Sequence, residues 1–549
     1  GGGGGGDTTP VPTGSACTAS GPRCADAAAT CTTYASAGAP SGTYCLLPDG
    51  GPCAENDDCA AAHCTAGSCT SCTVCASGCP HDNIQDAYNA SSAGDVILIA
   101  PGDYNGGVTN VKQEITFRRC GSEGVVAWNN TVDSYSIAGF INSASPAAYT
   151  ITVEDIEFTA TGGGSVTGGI AIYADPSSPR ISFTGRNLVV HDMKFAGTSS
   201  RYCAMEFSTG VIVTLTDCEF RDNSCNKEGG AIHIDDDRGN VNDVTITGCT
   251  FTGNSTGGSN DGGAIDIVLG TGGTATISDC TFTGNTASNG GGAITTNSPT
   301  TITGCTFSGN DAVDGSAIIY RDGSAGAISG CTFTDNTSDT YGCILIGEGN
   351  AVPTTVNITD CTITGNTGYS GAGIAYFTAG GTISGCTISG NTAGDRGGGV
   401  FIAGGNVTIS GCTISGNTAN EFETDNNGSI ESGGGGLMIG SGAFVGLLNT
   451  NVTGNQSKNY GGGAFVYAGT ASTTLQISGT STVSGNSIKS QAIAAGSGIA
   501  RRYFSLSSYT ATITGAATAV TGNTTPPTQC ASAVNNVTTF TNVSGCAFT

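Results

Sequence analysis

The residues best suited to chemistry lie in one phrase, HIDDDRGN, where His233, Asp235, Asp236, Asp237 and Arg238 follow a short glycine-led strand. A histidine set among carboxylates is the raw material of general acid–base catalysis. Carboxylates gathered on one outer face can also hold Ca²⁺. Asp266, in the next glycine-led phrase GGAIDIV, is expected near Ile234 or Asp235, where with Asp235 and Asp237 it would complete a structural Ca²⁺ site. His233, Asp235, Asp236 and Asp237 are thus the candidate catalytic residues. Against them, the chain has four histidines in all, and the neighbouring positions of later phrases are Thr, Ala and Gly. Cutting a polysaccharide would take acids and bases on several consecutive repeats, and the sequence alone assembles no such set. An acid run on a loop is ordinarily solvated surface. No Ser or Thr has a histidine in a triad context. Arg501-Arg502-Tyr503 reads either as a contact patch or as an ordinary loop.

Cysteine is the second reactive residue type, with 25 in 549 residues. So many are out of place in a reducing cytosol and point to an oxidising, extracellular setting. Eleven fall between Cys17 and Cys79, in a stretch with too few large apolar residues for a core, so disulfides are expected to take a core's place. A metal site at Cys72-x2-Cys75-x3-Cys79 with His81 is the alternative, but it lacks a second matched pair. The odd total leaves at least one thiol free or bonded to another chain. Cys120 is a possible partner for one of the first eleven.

Eight further cysteines recur at Cys218, Cys249, Cys280, Cys305, Cys331, Cys361, Cys386 and Cys412, with gaps of 31, 31, 25, 26, 30, 25 and 26. Two residues after each stands Phe220, Phe251, Phe282, Phe307 or Phe333, then Ile363, Ile388 or Ile414. Five after it stands Asn223, Asn254, Asn285, Asn310, Asn336, Asn366, Asn391 or Asn417. Residues two apart share a face of a strand. The Leu or Ile three before each cysteine shares that face only if the chain bends, and the Gly or Asp just before the cysteine supplies the bend. Asn is expected to end the second strand by adopting the left-handed conformation itself. About ten residues on, GGAI or a variant (Gly229 to Ile232, Gly262 to Ile265, Gly462 to Phe465) opens a third strand. Three short strands in about 25 residues make one coil of a parallel β-helix. About sixteen coils at roughly 4.8 Å would give a rod of roughly 75–80 Å. The cysteine column has a plain reading, small buried apolar thiols, and a sharper one, rung-to-rung disulfides at a permissible Cα spacing. Past Cys412 the position becomes Thr450, while Val452 and Asn455 keep the pattern.

These phrases carry resemblances. NIQDAYNASSAGDVILIAPGDY, residues 83 to 104, resembles the opening of right-handed parallel β-helix proteins of the pectin-lyase-like class, where a short amphipathic helix caps the first coil. FxxN followed by GGAI resembles the repeats of polymorphic outer-membrane proteins, a family of adhesive autotransporter passengers. That family ends in a membrane β-barrel, whereas 29 residues follow Val520 here, so the expectation is either that a barrel was removed or that the protein reaches the surface another way. GGPCAENDDCAAAHCTAGSC resembles small Cys-rich modules of secreted bacterial proteins. The organisation expected is a Gly/Pro-rich lead (1–16), a disulfide module (17–80), a cap and first strand (81–104), an all-β, right-handed parallel β-helix (105–525), and a C-terminal cap stapled by Cys530 and Cys546 (526–549).

A net charge of −25 argues against nucleic acid and anionic membrane as partners. No apolar run approaches a transmembrane length. The N-terminus reads as mature, with its export signal removed. The function expected is a non-catalytic structural or adhesive protein at the cell surface. It would form a head-to-tail homopolymer in which a neighbouring subunit holds Gly1, Gly2, Gly3, Gly4, Gly5 and Gly6. A carbohydrate-active or glycan-binding β-helix is the alternative.

Overall fold

The computed structural model describes residues 72–76, 79–121, 124–129, 148–159, 170–173, 181–194, 203–208, 210–235, 243–321, 323–348, 354–420, 433–468, 471–489 and 499–500. Elsewhere it describes only the backbone of strands at 30–34, 42–46, 62–65, 68–71, 137–140, 501–503, 511–514, 520–521 and 530–533. Gly1 to Gly6 lie outside the described residues, as do Asp236, Asp237, Arg238 and Cys546.

Asn83 starts the capping helix, Ile84–Ala90, its side chain accepting a hydrogen bond from the Asp86 amide at 2.8 Å. Asp86 in the first turn suits the positive end of the helix dipole. Ile84, Ala87 and Tyr88 turn inward, and Asp95–Ile99 follows as the first strand of the solenoid. Cys72 is joined to Cys120 and Cys75 to Cys79, so the three cysteines weighed as metal ligands are taken up in disulfides.

From there the chain winds as a parallel β-helix of four sheets. In coil order, for example Thr274–Ser278, Thr281–Thr283, Thr286–Gly290 and Ile294–Thr296, the sheets hold fifteen, fifteen, ten and fifteen strands among the described residues. The sequence suggested three strands per coil. The additional one follows the asparagine directly, because Thr286 pairs with Ser255 below and Asp311 above.

Each corner before a cysteine is left-handed, as at Asp217 (φ 54°) and Gly248 (φ 66°). This turn brings Ile246 and Cys249 to the same buried interior. The corner before the second turn corrects the expectation for asparagine. The left-handed residue is its predecessor, such as Asp222 or Gly253, and the asparagine itself points inward, fully buried.

Three columns stabilise the solenoid. Phenylalanine rings from Phe220 to Phe333 stack with centroids 4.7–4.8 Å apart and planes 3–4° from parallel, a spacing dictated by the strands. Burying each ring contributes about 2–3 kcal/mol. In the asparagine column, Asn285 Nδ2 donates to Asn310 Oδ1 at 3.0 Å and to the Phe251 carbonyl at 3.0 Å, while the Asn285 amide donates to the same Oδ1 at 2.9 Å. In the cysteine column the thiols stay unpaired. They are more than apolar filler: Cys305 Sγ accepts from the Cys280 amide at 3.4 Å and donates to the Thr303 carbonyl at 3.4 Å. The thiol thus satisfies backbone groups that the corner removes from the sheet ladder. Thr450 takes over with its hydroxyl, accepting from the Cys412 amide and donating to Ile409 and Leu448. Contact with Cys280, together with burial, pushes the Cys305 thiol up to about 12, which keeps it protonated and unreactive.

GGAI has a steric cause. A Cβ on Gly263 would lie 2.0 Å from the Gly292 carbonyl oxygen of the next coil, so no side chain fits where the chain enters the fourth sheet.

Candidate functional site

The candidate site lies on the fourth sheet. Strands of this sheet alternate, so Ile232 and Ile234 fill the interior while His233 faces the opposite side. The backbone register fixes what stands above and below it. Glu206, on the strand Met205–Ser208, pairs with His233, and His233 pairs with Asp266 on the strand Ile265–Val268. Three consecutive coils thus present an acid, a histidine and an acid in one column, and all three are buried: 5%, 4% and 3% exposed.

His233 Nδ1 is 3.1 Å from Asp266 Oδ2 and Nε2 is 4.0 Å from Asp235 Oδ2. Burial alone would lower the histidine, but the hydrogen bond and charge of Asp266, with the charge of Glu206, outweigh it and hold His233 above its ordinary value. Burial pushes Asp266 upward against the pull of that histidine. A hydrogen bond from Nδ1 would orient the ring and leave Nε2 as the proton-exchanging atom.

Beside the column opens a cavity of about 280 Å³ whose walls include His233, Asp235, Asp266, Lys227, Asp261 and Arg321. Asp261 stands just before a GGAI phrase. Its carboxylate accepts from the Gly290 amide at 2.9 Å and binds Arg321, two coils on, at 2.7 and 3.1 Å. This ion pair stitches the cavity wall across the coils.

Asp266 is therefore opposite His233, where Ile234 or Asp235 had been expected, and its carboxylate is engaged by the imidazole. The residue opposite Asp235 is Val268. Asp235 and Asp266 both face the His233 imidazole across the cavity, at 4.0 and 3.1 Å. Asp236 and Asp237 lie outside the described residues. Among the described residues no cluster of three or more His, Cys, Asp or Glu is arranged as metal ligands.

The sequence reading missed Glu206, Lys227, Asp261 and Arg321. Glu206 was discoverable only by recognising CAMEF as a degenerate GGAI phrase, which places it one coil below His233. The column also carries on beyond the acids. Thr295, Ile319, Leu345, Ala375, Phe401, Met438, Phe465 and Ala500 occupy the same position in successive coils. From Ile319 onward they form an apolar cluster distinct from the interior core. A further disulfide, Cys203–Cys225, ties together the two coils that bear Glu206 and His233.

The family model described as the right handed beta helix region matches residues 206–386, which include all three members of the column. The structure of the A-module of mannuronan C-5 epimerase AlgE6 from Azotobacter vinelandii is 13% identical over 81% of this chain and 93% of that one, with a TM-score of 0.26, a likeness too slight to carry an argument. No curated protein matches the sequence.

Proposed function

We propose that this right-handed parallel β-helix acts outside the cell on a glycan, through acid–base chemistry at the cavity around His233. One observation carries the reading. In a column otherwise filled by Ala, Thr, Ile, Leu, Phe and Met, the three consecutive coils bearing Glu206, His233 and Asp266 bury charge. A buried ion pair is less favourable than the small or apolar residues that serve the same position elsewhere. Local departures from an otherwise consistent repeat, with perturbed titration, are where function concentrates. In this reading His233 Nε2 exchanges the proton, Asp266 fixes the ring, and Glu206 adds negative charge that favours the imidazolium. The glycan assignment is an analogy from the fold, and the three disulfides among the described residues support an oxidising location.

The test is turnover of a polysaccharide panel by the full chain, with His233→Ala and Asp266→Asn beside it. Loss of about 10²-fold or more in kcat/KM for His233→Ala, with an unchanged circular dichroism spectrum, is the expected result. Equal turnover by wild type and His233→Ala would overturn the reading.

A second reading, a non-catalytic structural or adhesive subunit that polymerises head to tail, is favoured by the unbroken columns from Cys218 to Asn417. Negative-stain microscopy of native material separates the two: filaments of uniform width support polymerisation, whereas single rods remove it.

A further inference from the structure

Charge restricts what the cavity tolerates. Glu228, Asp235, Asp261 and Asp266 line it and Glu206 stands on the column behind, five carboxylates against Lys227, Arg321 and, when protonated, His233. Two of those cations are already engaged, Arg321 with Asp261 and His233 with Asp266. The cavity is therefore net negative, inside a chain whose formal charge is −25. A polyanionic glycan would be repelled both at long range and on contact, while a cationic one would be drawn in.

The surface next to the cavity favours the same charge. Tyr341 pairs in register with Asp314, and Asp314 with Gly290, whose amide donates to Asp261 in the cavity wall. Tyr341 and Phe377, both half-buried, meet edge to face at 4.4 Å, and Phe377 meets Phe401 at 5.5 Å. The Arg396 guanidinium, paired with Asp395, lies 5.9 Å from the buried Phe401 ring centroid and takes up that ring, which leaves Tyr341 and Phe377 as the partly exposed rings of the row. Ring faces attract ammonium groups as they attract guanidinium.

We propose that the cavity and the half-buried rings of Tyr341 and Phe377, backed by the buried Phe401, together bind a polysaccharide of amine-bearing sugars. One sugar sits among the cavity carboxylates, and the chain continues over the aromatic row toward the C-terminal coils. This rests on the glycan reading above and departs from the acidic polysaccharides that β-helix enzymes commonly suggest.

The experiment is calorimetric titration of the full chain with glucosamine oligomers, their fully N-acetylated counterparts and galacturonate oligomers, each at low and high salt. The glucosamine oligomer should bind at least about 10-fold tighter than the neutral one and lose most of that margin in high salt. Asp235→Asn and Phe377→Leu should each weaken it several-fold. Equal or tighter binding of the neutral or galacturonate oligomer overturns the proposal without any variant having to fold. His233-dependent turnover of a polyuronate would do the same while leaving the acid–base reading intact. Glucosamine-oligomer binding with no His233-dependent turnover would leave this proposal standing and remove the acid–base reading. No binding by any oligomer removes both.

Discussion

Two columns run along the same solenoid under the same backbone register, and they have opposite characters. In the second sheet and its corners, Cys, Phe or Ile, and Asn return on every rung from Cys218 to Asn417. On the outer face of the fourth sheet, almost every rung differs: Ala171, Glu206, His233, Asp266, Thr295, Ile319, Leu345. The interior column is confined by neighbours above and below, and its side chains bond or stack with copies of themselves. A change on one rung leaves two others unsatisfied. The outer column meets walls that change from coil to coil, so no bonding or stacking between like residues fixes its side chains. Uniformity marks structure here, and variation marks the candidate site.

Substitutions in the interior column test this most severely. Asn310→Ala would remove the acceptor for the Asn285 amide and its Nδ2, and take the Nδ2 donor from the Phe282 carbonyl and from Asn336 Oδ1, which keeps only the residue 310 backbone amide. A loss of about 4 kcal/mol is expected in urea melts. A loss below about 1 kcal/mol would show that the ladder adds little beyond packing.

The cysteine column gives a finer test, because polar and apolar replacements of equal shape should separate. Cys305→Thr should stay within about 1 kcal/mol of wild type, as Thr450 does the same work on its own rung. Cys305→Val, leaving the Cys280 amide without its acceptor, should cost about 2 kcal/mol. Equal losses would return the thiols to the role of simple hydrophobes.

The smallest effect belongs to the outer column. His233 is held above its ordinary value in the fold, so its contribution is fully present below the unfolded pKa of about 6.5 and is lost as pH rises through the raised one. Burial raises Asp266 too, and that acts in the same direction. Urea midpoints measured from pH 5.5 to pH 8.5 should fall with rising pH, and Asp266→Asn should flatten the slope. An identical slope in that variant would disconnect the pair from stability.

The sequence by itself determined the solenoid. Apolar residues at fixed offsets from each cysteine, Gly or Asp at each corner, and GGAI where no Cβ fits are local requirements, and each is written out on every rung. The rest is a matter of register. The coils differ in length, so no linear spacing reveals that Glu206, His233 and Asp266 align, or that Asp261 reaches Arg321 sixty residues away. Only the hydrogen-bond ladder between coils, which absorbs the insertions into loops, decides those neighbours. It likewise gave the strand after each asparagine its partners, turned that asparagine inward one residue past the left-handed corner, and brought Cys203 to Cys225. Local chemistry repeats and is legible, whereas the candidate site is assembled from residues that share nothing in the chain except their position around the coil.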